Sequence, residues 1–172
     1  MSSRQLRRQI ITGGDPLTSH TDPSNRTVSP QVPLDLAAQP CFALQSASHA
    51  ITRAYKPLLD PLGLTYTQYT VMLALWEADG ISLAELAEKL HTNPPSLTPV
   101  IRRLAQRELL TRQRVPDDER RLTIQLTKSG EQLRDQARDI PQEMLCRVGI
   151  STEEAGELIE VLSRIRQSLD AR

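Results

Sequence analysis

The stretch Ile81–Thr127, ISLAELAEKLHTNPPSLTPVIRRLAQRELLTRQRVPDDERRLTIQLT, determines the predicted fold. Ser82 and Glu85 have the spacing of a capping box, which predicts the start of a short helix. A second helix carrying an arginine pair comes next. Two strand-like segments, Leu109–Val115 and Arg121–Thr127, then flank a charged loop. This order is typical of a winged helix-turn-helix, in which the second helix enters the DNA major groove and the hairpin lies beside it.

The pattern leaves two starting points open for the second helix. Asn93 could cap it with Pro94 at the first helical position, or Thr98 could cap it with Pro99 in that place. In both cases we expect the helix to present three basic side chains, Arg102, Arg103 and Arg107.

Two helical regions are predicted before this module. Leu36–Leu62 has apolar residues at three- and four-residue steps, and Pro57 is expected to kink or interrupt it. A second helix is predicted from near Thr67, its candidate N-cap, to Asp79.

Two further helices are predicted after the module. Thr127 is expected to cap a long helix that runs to about Val148 and bends at Pro141. Ser151 should open a final helix, with Glu154 completing a capping box.

The first and last helical regions carry wide apolar stripes that the small winged module cannot cover. Pairing with the same helices of a second copy would bury them, which predicts a two-fold homodimer. The predicted fold class is mainly α with a small β-hairpin. We expect a winged-helix domain over 35–172, with a DNA-binding part at about 67–127 and dimerisation helices at about 36–62 and 128–170.

Composition agrees with a globular domain preceded by a tail. Residues 1–34 lack periodicity and are rich in Ser, Thr, Pro, Gly and Arg, so a disordered tail is predicted. Aromatic residues make up only 3% of the chain, which favours helices over a β-sandwich. No apolar run is long enough for a membrane span, and no signal segment follows the N-terminal arginines. The expected location is the cytoplasm.

Charge is unevenly distributed although the formal net charge is zero. Residues 94–128 hold eight basic and four acidic side chains, whereas the flanking regions 35–93 and 129–172 are each acidic. Local potential attracts DNA phosphates, so the winged segment is the predicted site for double-stranded operator DNA.

Two cysteines, Cys41 and Cys146, are too few for a secreted disulfide scaffold of this size. The three histidines have no metal-ligand spacing with each other or with the cysteines. No nucleotide-binding loop or Ser-His-Asp arrangement is visible. We therefore expect neither a metal nor a cofactor, and no enzymatic activity.

Three segments together resemble the MarR family of dimeric winged-helix regulators: LTYTQYTVMLALWE (64–77), SLAELAEKL (82–90) and SLTPVIRRLAQRELLTRQRVPDDERRLTIQLTKSG (96–130). The acidic-then-arginine tip Asp118-Glu119-Arg120 is the most specific mark. The stretch CFALQSASHAITRAYKPLLDPLGLTY (41–66) resembles the branch of organic-hydroperoxide-sensing repressors of OhrR type, in its two-cysteine class. Two features depart from the family pattern: Pro94-Pro95 at the start of the recognition helix, and Gln45 where some relatives have a third tyrosine.

The resemblance implies a redox mechanism. Cys41 would be oxidised by an organic hydroperoxide and form a disulfide with Cys146 of the other subunit, which releases the dimer from its operator. Tyr55 and Tyr66 would donate hydrogen bonds to the reactive thiolate. Since Tyr55 lies fourteen residues after Cys41, or about 21 Å along a continuous helix, a contact within one chain is implausible.

The predicted DNA contacts follow from the winged-helix geometry. Ser96, Thr98 and Arg102 are expected in the major groove, with Arg103 and Arg107 nearer phosphates. Arg120 would enter a minor groove, oriented by Asp118, and Arg121 adds positive charge beside it.

Two other functions compete with the redox repressor. One is a MarR-type regulator switched by a small aromatic or phenolic ligand, with incidental cysteines. The other is a thiol peroxidase using Cys41, although the chain has no CxxC motif for recycling.

Overall fold

The computed structural model describes residues 33–115 and 118–171, with the side chains of residues 114–122 left out. Most of the predicted tail, residues 1–32, lies outside the described residues. Among the described residues, 33–39 belong to one unit, and 40–115 and 118–171 belong to a second. In the first, a 3-10 turn at Leu36–Ala38 is capped by Asp35, whose side chain accepts a hydrogen bond from the Ala37 N–H.

The second unit contains, in its described part, seven α-helices and three short strands. The helices are α1 (Pro40–Leu59), α2 (Tyr66–Glu77), α3 (Leu83–Lys89), α4 (Pro94–Gln106), α5 (Lys128–Ala137), α6 (Ile140–Val148) and α7 (Thr152–Asp170). A 3-10 turn at Asp60–Leu62 links α1 to the segment before α2. The strands β1 (Ile81–Ser82), β2 (Leu110–Val115) and β3 (Asp118–Leu126) form an antiparallel sheet in the order β1-β3-β2.

Local capping confirms most of the predicted helix starts. Ser82 Oγ accepts from the Glu85 N–H at 3.2 Å, and Glu85 Oε2 accepts from the Ser82 N–H at 2.7 Å. The same arrangement joins Ser151 to Glu154. The open question about α4 is settled in favour of Asn93 as its cap, so Pro99 lies inside the helix.

One predicted helix start was wrong for a local reason. Thr65, not Thr67, caps α2, because Gln68 lies three residues after Thr65 and its side chain bonds back to the Thr65 N–H. Pro57 does not interrupt α1, which continues to Leu59.

The long helix predicted after the hairpin is divided into α5 and α6. The helix α5 ends at Ala137, four residues before Pro141. Pro141 has no N–H to donate to the Ala137 carbonyl, and its ring crowds that carbonyl. The helix therefore breaks there rather than bending.

The core lies between α2, α3, α4, α5 and the sheet, and its fully buried side chains include Tyr69, Met72, Leu75, Leu86, Ile101, Leu104, Leu110 and Ile124. The strand β1, which was not predicted, pairs Ile81 with Ile124 of β3 and so attaches the hairpin to α3. This arrangement fixes the position of α4 against the wing.

Apolar side chains remain exposed on α1 and α7. Within the described residues, α1 buries only Leu59, and α7 buries none of its residues. Phe42 and Leu44 of α1 are 42% and 45% exposed. The exposed apolar residues of α7 are Leu158, Ile159, Val161, Ile165 and Leu169. These faces belong to the two regions that the sequence assigns to dimerisation. No helix of the described residues is long and apolar enough to cross a membrane.

Gly130 is required where α5 packs against the start of the wing. A Cβ at this position would overlap the carbonyl oxygen of Leu109. The Gly130 carbonyl also accepts a hydrogen bond from Trp76 Nε1 at 2.9 Å, which holds α5 against α2.

Gly130→Ala should lower the free energy of unfolding by about 1–3 kcal/mol, because the added methyl group forces backbone to move. Gly156→Ala is the matched control: a Cβ there meets nothing within 4 Å, and alanine gains up to about 1 kcal/mol in helix propensity. Urea unfolding of the two variants at equal protein concentration measures both effects. Equal stabilities would contradict the packing role of Gly130.

Candidate redox centre and nucleic-acid interface

Cys41 lies in the first turn of α1, directly after Pro40, and its side chain is exposed. Cys146 lies near the end of α6 and is also an exposed free thiol. Gln142 Nε2 lies 3.8 Å from the Cys146 sulfur. Neither sulfur is enclosed by the core, so both are open to solvent and to a reaction partner.

Tyr55 and Tyr66 lie together at the opposite end of α1 from Cys41. Their ring centroids are 4.8 Å apart, and Tyr69 lies 5.8 Å from Tyr55. Throughout the part of the chain that the structure describes, the hydroxyl groups of Tyr55 and Tyr66 have no hydrogen-bond partner. Both phenols are therefore available as donors to an acceptor from another molecule.

Burial raises the pKa of two of these phenols. Desolvation raises the pKa of Tyr55, and the neighbouring Tyr66 raises it further. Burial raises the pKa of Tyr69 to about 12, with smaller contributions from Tyr55 and Tyr66. At neutral pH the Tyr55 hydroxyl is therefore a donor rather than an anion that would repel a thiolate.

The structure does not bring Cys41 and Tyr55 of one chain together. Both lie on α1, which is continuous from Pro40 to Leu59. Fourteen residues at about 1.5 Å each separate them by about 21 Å. A single chain thus holds the sulfur at one end of a helix and the phenols at the other.

The helix α4 presents a polar face away from the core. Leu97, Ile101 and Leu104 are buried, whereas the predicted contact residues Ser96, Thr98, Arg102 and Arg103 are exposed. Among the described residues, Arg102 and Arg103 have no ion-pair or hydrogen-bond partner. Both guanidinium groups are therefore free to bind phosphate or a base edge.

Residues 64–122 match the model of the MarR family. The chain is 37% identical to the "Organic hydroperoxide resistance transcriptional regulator" of Bacillus subtilis, over 80% of this chain and 91% of that relative. The chain belongs to the MarR family. It is a transcriptional regulator of this family.

Two solved structures of AbfR, a protein of Staphylococcus epidermidis, have similar folds. Reduced AbfR bound to DNA has a TM-score of 0.68 and 30% identity, covering 79% of this chain and 93% of that chain. Disulfide-formed AbfR has a TM-score of 0.55 and 32% identity, covering 79% of this chain and 90% of that chain. The winged-helix fold predicted from the sequence is confirmed.

Arg107 has a partner that the sequence did not reveal. Its Nη1 donates to the Gly63 carbonyl at 2.5 Å, and its Nη2 donates to the Leu62 carbonyl at 2.9 Å. These bonds join the end of α4 to the turn that follows α1. They give Arg107 a structural role in this MarR-family chain, and the phosphate contact predicted for it stays a prediction.

A second residue missed by the sequence analysis is Arg112 of β2, whose Nη2 lies 3.4 Å from the Thr98 carbonyl. Both missed bonds run between segments distant in sequence, so no local pattern signals them. At the wing, the side chains of Asp118, Arg120 and Arg121 lie outside the described part of the structure. Their roles remain predictions.

Arg107→Met should lower the free energy of unfolding by about 1–3 kcal/mol, because two carbonyl groups lose a charged donor. Arg103→Met is the matched control on the same helix, since Arg103 is exposed and unpartnered within residues 33–115 and 118–171. A surface change of that kind should stay within about 0.5 kcal/mol. Chemical denaturation compares the two variants, and equal losses would contradict the structural role of Arg107.

Proposed function

We propose that this chain is a redox-responsive repressor that leaves its operator when Cys41 is oxidised by an organic hydroperoxide. The observation that carries the proposal is that the two ends of α1 hold different chemical groups. An exposed sulfur lies in its first turn, and phenol hydroxyls that have no hydrogen-bond partner among the described residues lie at its far end. The similarity to a regulator named for organic hydroperoxide resistance supports the same reaction.

The proposed acting form is a homodimer in the cytoplasm, built on the exposed apolar faces of α1 and α7. If two α1 helices pair in antiparallel fashion about an axis near Ser48, Cys41 of one chain is aligned with Tyr55 of the other. The middle of α1 suits close approach because its residues there are small: Ser46, Ala47, Ser48 and Ala50. The dimer would then complete two sites, each with a sulfur from one chain and phenols from its partner.

The first chemical step converts the thiolate to a sulfenic acid. The Cys41 sulfur attacks one oxygen of the hydroperoxide, the S–O bond forms, and the O–O bond breaks. The remaining alkoxide takes a proton and leaves as an alcohol. Tyr55 and Tyr66 would stabilise the thiolate and orient the peroxide by donating hydrogen bonds.

The second step forms a disulfide. The Cys146 thiolate of the partner attacks the sulfenic sulfur, the S–S bond forms, and hydroxide leaves and is protonated to water. A disulfide requires the two Cα atoms within about 7 Å. Closing that distance would move α6 relative to the partner's α1 and change the spacing of the two α4 helices, so that the fit to two DNA half-sites is lost.

On the operator, Arg102 is proposed to contact a base edge in the major groove, with Ser96 and Thr98 beside it and Arg103 on a phosphate. At the wing tip, Arg120 would enter the minor groove and Asp118 would orient it, while Arg121 adds attraction for the backbone.

The single-cysteine variants test the order of events. Organic hydroperoxide should release wild-type protein from DNA in a gel-shift assay, and it should not release Cys41→Ser. Cys146→Ser retains the reactive sulfur but cannot form the disulfide, so its release should be incomplete or reversed more readily by thiols. Release of Cys41→Ser by the peroxide would sink the redox proposal.

A mixing experiment tests the pairing between subunits. Oxidised wild-type protein should run as a covalent dimer in nonreducing electrophoresis, and each single variant alone should run as a monomer. Co-refolded Cys41→Ser and Cys146→Ser chains should again give a covalent dimer, because one chain supplies each sulfur. Oxidised wild-type protein that stays monomeric with an internal disulfide would contradict the proposed geometry.

A second candidate function is regulation by a small aromatic or phenolic ligand. A cavity of about 660 Å³ lies between α2 and α5, lined by Tyr69 and Trp76 together with Arg134 and Arg138. The aromatic walls suit a planar ring, and Arg134 could pair with an acidic group on it. Glu77 and Asp135 also line the cavity, and Arg138 is already paired with Asp135 at 2.9 Å. An aromatic acid that weakens operator binding by Cys41→Ser protein as strongly as by wild type would favour this function.

A further inference from the structure

The exposed face of α4 has an unusual composition for a base-contacting helix. Pro95, Thr98, Pro99 and Arg102 are all exposed and follow the spacing of one helical face. The opposite face contains the buried residues Leu97, Ile101 and Leu104. Since the first turns of a recognition helix contact base edges, two pyrrolidine rings stand where those contacts form.

The hydrogen-bond donors of this region are missing or already used. Pro94, Pro95 and Pro99 have no N–H. The Ser96 N–H and hydroxyl both donate to Asn93 Oδ1, at 3.0 Å and 2.8 Å. The Thr98 hydroxyl donates to the Pro94 carbonyl at 3.2 Å. From Pro94 to Pro99, the outward surface therefore offers ring methylenes and oxygen acceptors.

We propose that Pro95 and Pro99 recognise thymine through its C5-methyl group, so that this part of the operator is selected by apolar contact. The proposal rests on the DNA-binding role of the MarR fold and specifies what its recognition helix prefers. We call Pro95 and Pro99 the proline face.

The chemistry of the major groove favours thymine at these positions. Every base presents at least one polar group in the major groove: guanine N7 and O6, adenine N7 and N6, cytosine N4 and thymine O4. Covering any of these groups with proline methylenes costs its pairing with water, so only an apolar group on the base can offset that cost. Cytosine has no methyl group at C5. Thymine alone presents a methyl group that proline methylenes can cover. Arg102, about one turn further along, is the donor able to pair with a guanine beyond the thymines.

The size of the expected effect follows from the methyl group. Covering one such group should strengthen binding about three- to fivefold, which corresponds to about 0.8 kcal/mol at 1.4 kcal/mol per tenfold change. Removing the methyl while keeping the base pair should reverse that gain.

Uracil in place of thymine makes this change, since it keeps the pairing edge and O4 and lacks only the methyl. Reduced full-length protein would first select a bound duplex from a randomised library. Each thymine in the selected site is then replaced singly, and affinities are measured for wild type, Pro95→Ser and Pro99→Ser. Uracil placed outside the bound site is the control for general effects of the replacement.

The expected result is a three- to fivefold loss at one or two thymines in each half-site for wild type, with less than about 1.5-fold loss at the same thymine in the matching proline variant. Affinity that is unchanged by uracil at every thymine overturns the proposal. Equal sensitivity in wild type and both variants overturns it too. A selected site that shows the methyl effect but no release by peroxide leaves the proline face standing and removes the redox function. Failure to select any site removes both.

Discussion

The length of α1 is the constraint on which the proposed mechanism depends. An uninterrupted helix from Pro40 to Leu59 places Cys41 about 21 Å from Tyr55. No rearrangement of side chains closes such a gap within one chain. The sulfur and the phenols can meet only if a second chain brings its own α1 alongside. In this view dimerisation is a condition for sensing as well as for binding two half-sites.

The Arg107 hydrogen bonds give this helix a physical connection to DNA recognition. They attach the end of α4 to the carbonyls of Leu62 and Gly63, in the turn that follows α1. Tyr66 begins α2 three residues later, and its ring packs on Tyr55. The end of α1, the start of α2 and the end of α4 are therefore joined at one place. A displacement of α1 cannot move the turn independently of α4 without breaking bonds to a charged group.

Local sequence signals were sufficient to predict structural features that depend on neighbouring residues, such as helix caps. The Ser82–Glu85 and Ser151–Glu154 pairs act over three residues, and both predicted caps formed. The start of α2 was misplaced because Thr65 and Thr67 are both suitable caps, and only the partner Gln68 distinguishes them.

Contacts between residues that are far apart in the sequence could not be predicted from local patterns. The strand β1 has two residues and no pattern of its own, so its pairing depends on where β3 lies. The bonds of Arg107 span 44 and 45 residues. In sequence, Arg107 cannot be told apart from Arg103, which has no side-chain partner among the described residues. The roles proposed for Cys41 and Cys146 came from the resemblance to a family. The structure adds that both sulfurs are exposed and that the phenols are unpaired in its described part.

The tyrosines near the end of α1 and the proline face of α4 differ in whether their hydrogen-bond donors are already used. The difference fits what each surface would bind. At the far end of α1, hydroxyl donors are left without partners in the described chain, which suits an anionic sulfur arriving from another subunit. At the start of α4, serine and threonine hydroxyls are bonded within the helix and three positions are proline. In the proposed complex, Arg103 would supply the attraction for phosphate that the proline face lacks, and Arg102 would contact a base edge. Attraction to phosphate and contact with thymine methyl groups would therefore come from different turns of the same helix. Salt screens the first of these interactions but not the second.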